Sequence, residues 1–223
     1  MRNIRTTAAL AVVVAGGIFA PGGSLAQGTI IHIVPSQPFI VFGIPAMPWT
    51  RDFDVDADGI QDYQFDNDGA VVYVSPLSSN RQIAYPAVPP DMGSYLTPLF
   101  AGEAIGASLD PILGQWVDRS SPNLGGHSGI SYQFNVGGGG TFYGRTAFMG
   151  IDFTAADGGR HFGWIKIDNS LHVAGGLLVE WAWAATPGEA ILAGAVPEPS
   201  CISLCLLGIL LIFTRRSQSR VRL

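Results

Sequence analysis

The sequence predicts an all-β protein: a single, jelly-roll-like β-sandwich between an N-terminal signal peptide and a C-terminal transmembrane segment. Three observations predict it. Apolar runs in the body are short, rich in β-branched and aromatic residues, and recur at intervals of roughly 8–15 residues. Glycine and proline punctuate them throughout. No amphipathic helix longer than three turns can be drawn anywhere in the body.

Residues 1–26 read as the signal peptide. Met1 to Arg5 is basic and Thr6 to Ala20 is apolar. Pro21-Gly22-Gly23 then breaks any helix, and the small residues Ser24 and Ala26 set a cut between Ala26 and Gln27. The exported body, residues 27–195, is long enough to enclose a core. It holds six basic and sixteen acidic side chains, a net charge of −10. Such a body repels phosphate backbones and anionic lipid, so no nucleic acid is expected as a partner. Both cysteines, Cys201 and Cys205, lie outside it, so neither disulfides nor thiolate–metal bonds hold the body together.

Within the body, Thr29 to Val34 predicts a β-branched strand that Pro35 stops, and Phe39 to Phe42 a short edge strand between prolines. His32 there is expected to pack rather than to bind. Ala70 to Val74 predicts another strand. Ser75 to about Pro98, rich in Pro, Ser, Gly and Tyr, predicts a long surface loop with at most a short strand at Ile83 to Tyr85. Phe100 to Leu109 is weakly apolar and suits a helical turn or a strand.

The segment from Asp52 to Asp66 carries the strongest internal motif. Asp54, Asp56, Asp58, Gly59 and Asp62 stand at relative positions 1, 3, 5, 6 and 9, with the carbonyl of Ile60 at position 7. That matches most of a Ca2+ loop, in which alternate carboxylates converge on a hard cation and glycine allows the sharp turn. Position 12 is Phe65 where a bidentate glutamate is wanted, and Asp66 or Asp68 would have to substitute. Apolar–polar alternation at Phe53, Val55, Tyr63 and Phe65 makes the flanks strands, so a hairpin turning at Asp58-Gly59 is the competing expectation. Any Ca2+ affinity is expected to be weak, near the millimolar range typical of about 10⁻⁴–10⁻³ M in extracellular modules.

Gly126-His127-Ser128-Gly129 grazes a nucleophile elbow but has Ile130 where glycine is needed, and it reads as loop chemistry. Ile130 to Val136 alternates as a strand, and Thr141 to Phe153 supplies one or two more. Asp157-Gly158-Gly159 predicts a hairpin turn between Ile151–Thr154 and His161–Ile167. Leu177 to Ala184 predicts a well-paired strand with Leu177, Val179, Trp181 and Trp183 on one face. Trp164, Trp181 and Trp183 are candidate carbohydrate-binding residues, against the competing expectation that strand aromatics pack in the core. His161 and His172 lack metal-ligand spacing. Asp152 and Glu180 are the isolated strand acids from which a hydrolase would have to be built.

The tail, residues 196–223, has three parts. Val196-Pro197-Glu198-Pro199-Ser200 interrupts the backbone, Cys201 to Phe213 is uncharged, and Arg215, Arg216, Arg220 and Arg222 follow. The uncharged run is expected to be a membrane segment, short against a hydrocarbon core of about 30 Å, with the arginines held on the cytoplasmic side. A buried core helix is the competing expectation, against which the flanking prolines and arginines weigh. Cys201 and Cys205 fall on one face of it as packing residues.

This ordered tail resembles the PEP-CTERM sorting signal of Gram-negative bacteria. The Asp-rich hairpin and the series Phe162 to Lys166, Glu180 to Trp183 and Thr186 to Ile191 are similar to segments of other such proteins. The resemblance implies an exosortase, a membrane protease-transpeptidase, as partner. It also implies passage through the inner membrane to the cell surface or the extracellular space, in company with exopolysaccharide. The expected function is a non-catalytic surface or matrix protein, with a Ca2+-assisted carbohydrate-binding module as the alternative and a secreted hydrolase third.

Overall fold

The computed structural model describes residues 28–41, 47–86, 94–120, 128–134, 137–171 and 174–197. The signal-peptide cut at Ala26–Gln27, residues 198–223 of the tail with Glu198, Pro199, Ser200, Arg215 and Arg216, and His127 and His172 lie outside the described residues.

The protein is all-β. Its strands are β1 (Ile30–Ile33), β2 (Phe39–Ile40), β3 (Trp49–Phe53), β4 (Tyr63–Asn67), β5 (Val71–Pro76), β6 (Arg81–Pro86), β7 (Ser94–Leu96) and β8 (Ala104–Ile105). After a 3-10 turn at Pro111–Leu113 come β9 (Gln115–Val117), β10 (Ser128–Phe134), β11 (Gly137–Gly139), β12 (Thr146–Thr154), β13 (Arg160–Asp168), β14 (Leu177–Ala184) and β15 (Ile191–Leu192). Among the described residues there is no helix long and apolar enough to cross a membrane.

Thirteen strands form one hydrogen-bonded sheet in the order β1-β14-β13-β12-β6-β7-β10-β5-β4-β3, with β2, β9 and β11 beside it. The sheet curls into a half-barrel. Its two ends meet through side chains: the rings of Phe53 on β3 and Trp181 on β14 cross edge-to-face at 5.0 Å. Arg51 on β3 donates to the carbonyl of Ile40 on β2 at 2.7 Å, and Phe39 packs edge-on to Phe53 at 5.3 Å. An edge-to-face pair of this kind contributes about 0.5–1.5 kcal/mol beyond its buried area.

Curling leaves two apolar layers. The inner face encloses Phe65, Val74, Leu96, Met149, Ile165 and Trp183. On the outer face of β12–β14, Phe162 and Trp164 pack with Leu99, Ile105, Leu113 and Ile191. There β8 and β15, a separate two-stranded sheet, form part of the cover.

The hairpin expected around Asp157-Gly158-Gly159 is present, with β12 and β13 paired from Thr154↔Arg160 to Thr146↔Asp168. Strand β14 is paired on both sides, by β13 and by β1 and β2. Its alternation breaks where Lys166↔Glu180 is followed by Ile167↔Leu178, a β-bulge that leaves Val179 extra. Leu178 therefore joins Trp181 and Trp183 on the inner face, correcting the face expected from strict alternation. The short strand expected at Ile83 to Tyr85 is present as β6, but the surface placement of this segment is corrected: β6 lies in mid-sheet between β12 and β7, with Gln82, Ile83 and Ala84 fully buried. Its short apolar stretch carries little local signal; its long-range partners bury it.

Candidate functional site

Residues 54–62 close the hairpin between β3 and β4, beyond the last rung Phe53↔Tyr63. The loop is built from its own carboxylates. Asp54 accepts from the backbone N–H groups of Ala57 and Gly59, both at 2.8 Å. Asp56 accepts from Asp58 at 3.2 Å, and Asp58 from Ile60 at 2.7 Å. Ala57 (φ 63°) and Gly59 (φ 93°) lie in the left-handed region, so the chain turns at Gly59 as the motif requires. Asp56 also accepts from Ala156 N at 2.8 Å, tying the loop to the β12–β13 turn.

The carboxylate oxygens of Asp54, Asp56 and Asp58 lie within 4.8 Å of one another. Two oxygens on one Ca2+, each at about 2.4 Å, lie at most about 4.8 Å apart, so three expected ligands fit a single ion. Burial pushes the Asp54 carboxyl up, against hydrogen bonds from Gly59 and Ala57, and the charges of Asp56 and Asp58 push the same way. A bound cation relieves that repulsion.

The carboxylates of Asp62, Asp66 and Asp68 do not join them. Asp62 is buried at the root of the loop, outside the carboxylate cluster. Its carboxylate accepts from Val55 N and from the Asn80 side chain, each at 2.9 Å, and burial raises its pKa to about 6. It therefore pins the loop to the core. Phe65, at position 12, is a core residue. Asp66 accepts from the Thr50 hydroxyl at 2.7 Å, and Asp68 caps its own turn through Ala70 and Val71.

The tryptophan platform is corrected. Trp164 is wholly buried, and Trp181 and Trp183 are 8% and 5% exposed, so none offers a face to a sugar. Trp49 and Trp116, which no sequence motif marks, are half-buried. Each carries a guanidinium over its ring, Arg51 at 5.4 Å and Arg81 at 5.3 Å.

The isolated acids are neutralised. Asp152 is fully buried between two arginines. Arg81 donates to its Oδ2 through Nε at 2.7 Å and again through Nη2. Arg160 donates to its Oδ1 through Nε at 3.0 Å, while Arg160 Nη2 lies 2.8 Å from Oδ2 off the hydrogen-bonding direction. Glu180 accepts from Lys166 at 2.7 Å and pairs with His32 at 2.9 Å. Partial burial works against its charge, but those partners outweigh it and hold the carboxyl below its ordinary range. His161 is buried, its ring nitrogens facing the Ala184 carbonyl at 2.7 Å and the Asp157 carboxylate at 3.1 Å.

Compared with protein-family models, with curated proteins and with solved structures, this chain has no match.

Proposed function

We propose that this is an exported, non-catalytic cell-surface or matrix protein, sorted through its C-terminal PEP-CTERM-like signal by an exosortase and residing among exopolysaccharide. The observation that carries the reading is the three-part order of the tail: the Val196–Ser200 proline motif, the uncharged run Cys201 to Phe213, and the arginines from Arg215. Neutralisation of Asp152 and Glu180 supports a non-catalytic role, because neither is left as a free acid or base. The finer architecture that accompanies this reading is a jelly-roll-like sandwich, and the meeting of β3 with β14 across the inner core supports it.

Mass spectrometry of the mature protein from its host tests the reading. The expected mass lacks residues 1–26 and the tail beyond the Pro197–Pro199 region. An intact chain recovered from the cytoplasm overturns it.

A second reading, a Ca2+-assisted carbohydrate-binding module, is favoured by the three convergent carboxylates of the Asp54–Asp58 loop. Binding of the producer's polysaccharide that EDTA abolishes is the outcome expected of it.

A further inference from the structure

The strand register places a row of side chains straight across the outer face of the sheet. Tyr85 on β6 lies opposite Tyr95 on β7. Tyr95 lies opposite Gly129 on β10, and Gly129 opposite Tyr73 on β5. Tyr73 in turn faces Asp66 on β4, and Asp66 faces Thr50 on β3. Residues directly opposite on neighbouring strands share a face. The alternate residues Phe65, Val74 and Leu96 point into the core, so this row points out.

The row crosses five inter-strand steps of about 4.8 Å each, a length of about 24 Å. Tyr85 and Thr50 are exposed; Tyr73, Tyr95 and Asp66 are half-buried. Gly129 leaves a gap that the Tyr95 ring leans across, since a Cβ on Gly129 would stand 3.4 Å from that ring. One end of the row is therefore aromatic, with Tyr85 and Tyr95 on adjacent strands and Tyr73 beyond Gly129. The other is polar, with Asp66 bonded to Thr50, and on the next rung Asp52 accepting from Gln64 at 2.9 Å.

We infer that this row is a binding strip for an extended, uncharged polysaccharide chain. Phenol rings offer apolar faces to the C–H surfaces of sugar rings. The Tyr85 hydroxyl is held by the Ile112 carbonyl and that of Tyr73 by Asp68, while the Asp66, Asp52, Gln64 and Thr50 groups match sugar hydroxyls. The carboxylates Asp52, Asp66 and Asp68, on a body of net charge −10, repel uronate, sulfated and phosphorylated polymers. Charge thus selects the neutral polymer. Cross-strand aromatics also pack for stability, and Tyr95 over Gly129 does so. Packing alone does not require the polar continuation of the row. The inference rests on the proposed exported setting and deepens it by naming the surface and the polymer class.

The test is affinity electrophoresis of the mature protein from its host. The gels contain a neutral β-glucan, a galactomannan, the producer's own exopolysaccharide, or alginate as the anionic comparator. Retardation by at least one of the first three and not by alginate is expected. Tyr73→Ala and Tyr85→Ala should each weaken that retardation about fivefold, the scale of one lost aromatic contact. Both are partly exposed, so an unchanged melting temperature separates lost binding from lost folding. Asp66→Lys, which reverses the charge of the strip without removing a ring, should admit alginate. Failure of all three polymers to retard the protein, retention of full retardation by the Tyr73→Ala/Tyr85→Ala variant, or preference for alginate by the wild type overturns the inference. Those outcomes leave the masses of the processed ends untouched, so failure here is distinct from failure of the sorting proposal.

Discussion

The indole Nε1 of Trp181 donates to the backbone carbonyl of Val55 at 2.9 Å, joining β14 to the first turn of the Asp-rich loop. This bond spans the two ends of the curled sheet. It also holds the main chain beside Asp54 and Asp56, so the loop is anchored by a residue far from it in sequence. Trp181→Phe removes the bond while keeping most of the ring, and should cost about 1–2 kcal/mol. Urea denaturation measures the loss. If the loop holds a cation, the same variant should bind it more weakly than wild type.

Calcium should stabilise the protein modestly. With a dissociation constant near 1 mM, about 10 mM Ca2+ contributes about 1.4 kcal/mol. For a body of this size that raises Tm by about 3–6 °C. Differential scanning calorimetry with and without EDTA measures it, and Asp56→Asn/Asp58→Asn should abolish the increment.

Asp62 gives the stability a pH dependence of known sign. Its folded pKa is raised to about 6, mainly by burial. The folded state therefore holds the proton more tightly than the unfolded chain. The stability this contributes is full below about pH 4 and is lost as pH rises through about 6. Glu180, Asp157 and Asp168 are shifted the other way, and their contribution is lost as pH falls below the ordinary carboxylate range. Between pH 5 and 7 the wild type should lose about 1 kcal/mol. Asp62→Asn, although less stable throughout, should flatten that slope.

Asp152 is the group whose removal should be most damaging. Asp152→Ala leaves the guanidiniums of Arg81 and Arg160 facing each other without their shared carboxylate. Breaking a buried pair in this way costs about 3–5 kcal/mol. Equilibrium unfolding in urea reads the loss directly.

Gly175 tolerates no side chain. It has φ 86°, and a Cβ there would stand 1.8 Å from the carbonyl oxygen of Val41. Gly175→Ala should displace the segment leading from β2, where Val41 donates to the carbonyl of Gly176 at 3.0 Å. Solubility or a thermal melt shows the effect, expected to exceed the roughly 1–3 kcal/mol of backbone strain alone.

Local patterns are legible in the sequence itself. The β-rich, glycine-punctuated body, the hairpin at Asp157-Gly158-Gly159 and the alternating carboxylates of residues 54–58 are set by near neighbours in the chain. The tail, too, speaks through its order of proline, apolar and basic residues. The rest depends on partners distant in sequence. Asp62 sits two residues beyond a plausible ligand yet turns inward, because Val55 and Asn80 wait there as donors. Trp164, Trp181 and Trp183 look available by alternation, but an apolar layer closes over both faces of their strands. Tyr73, Tyr85 and Tyr95 are scattered along the chain and become one row only through pairing register. Alternation tells which residues share a face within one strand. Which face meets water is decided by long-range hydrogen bonding and by the curl of the whole sheet, since burial belongs to the assembled strands and not to any one of them.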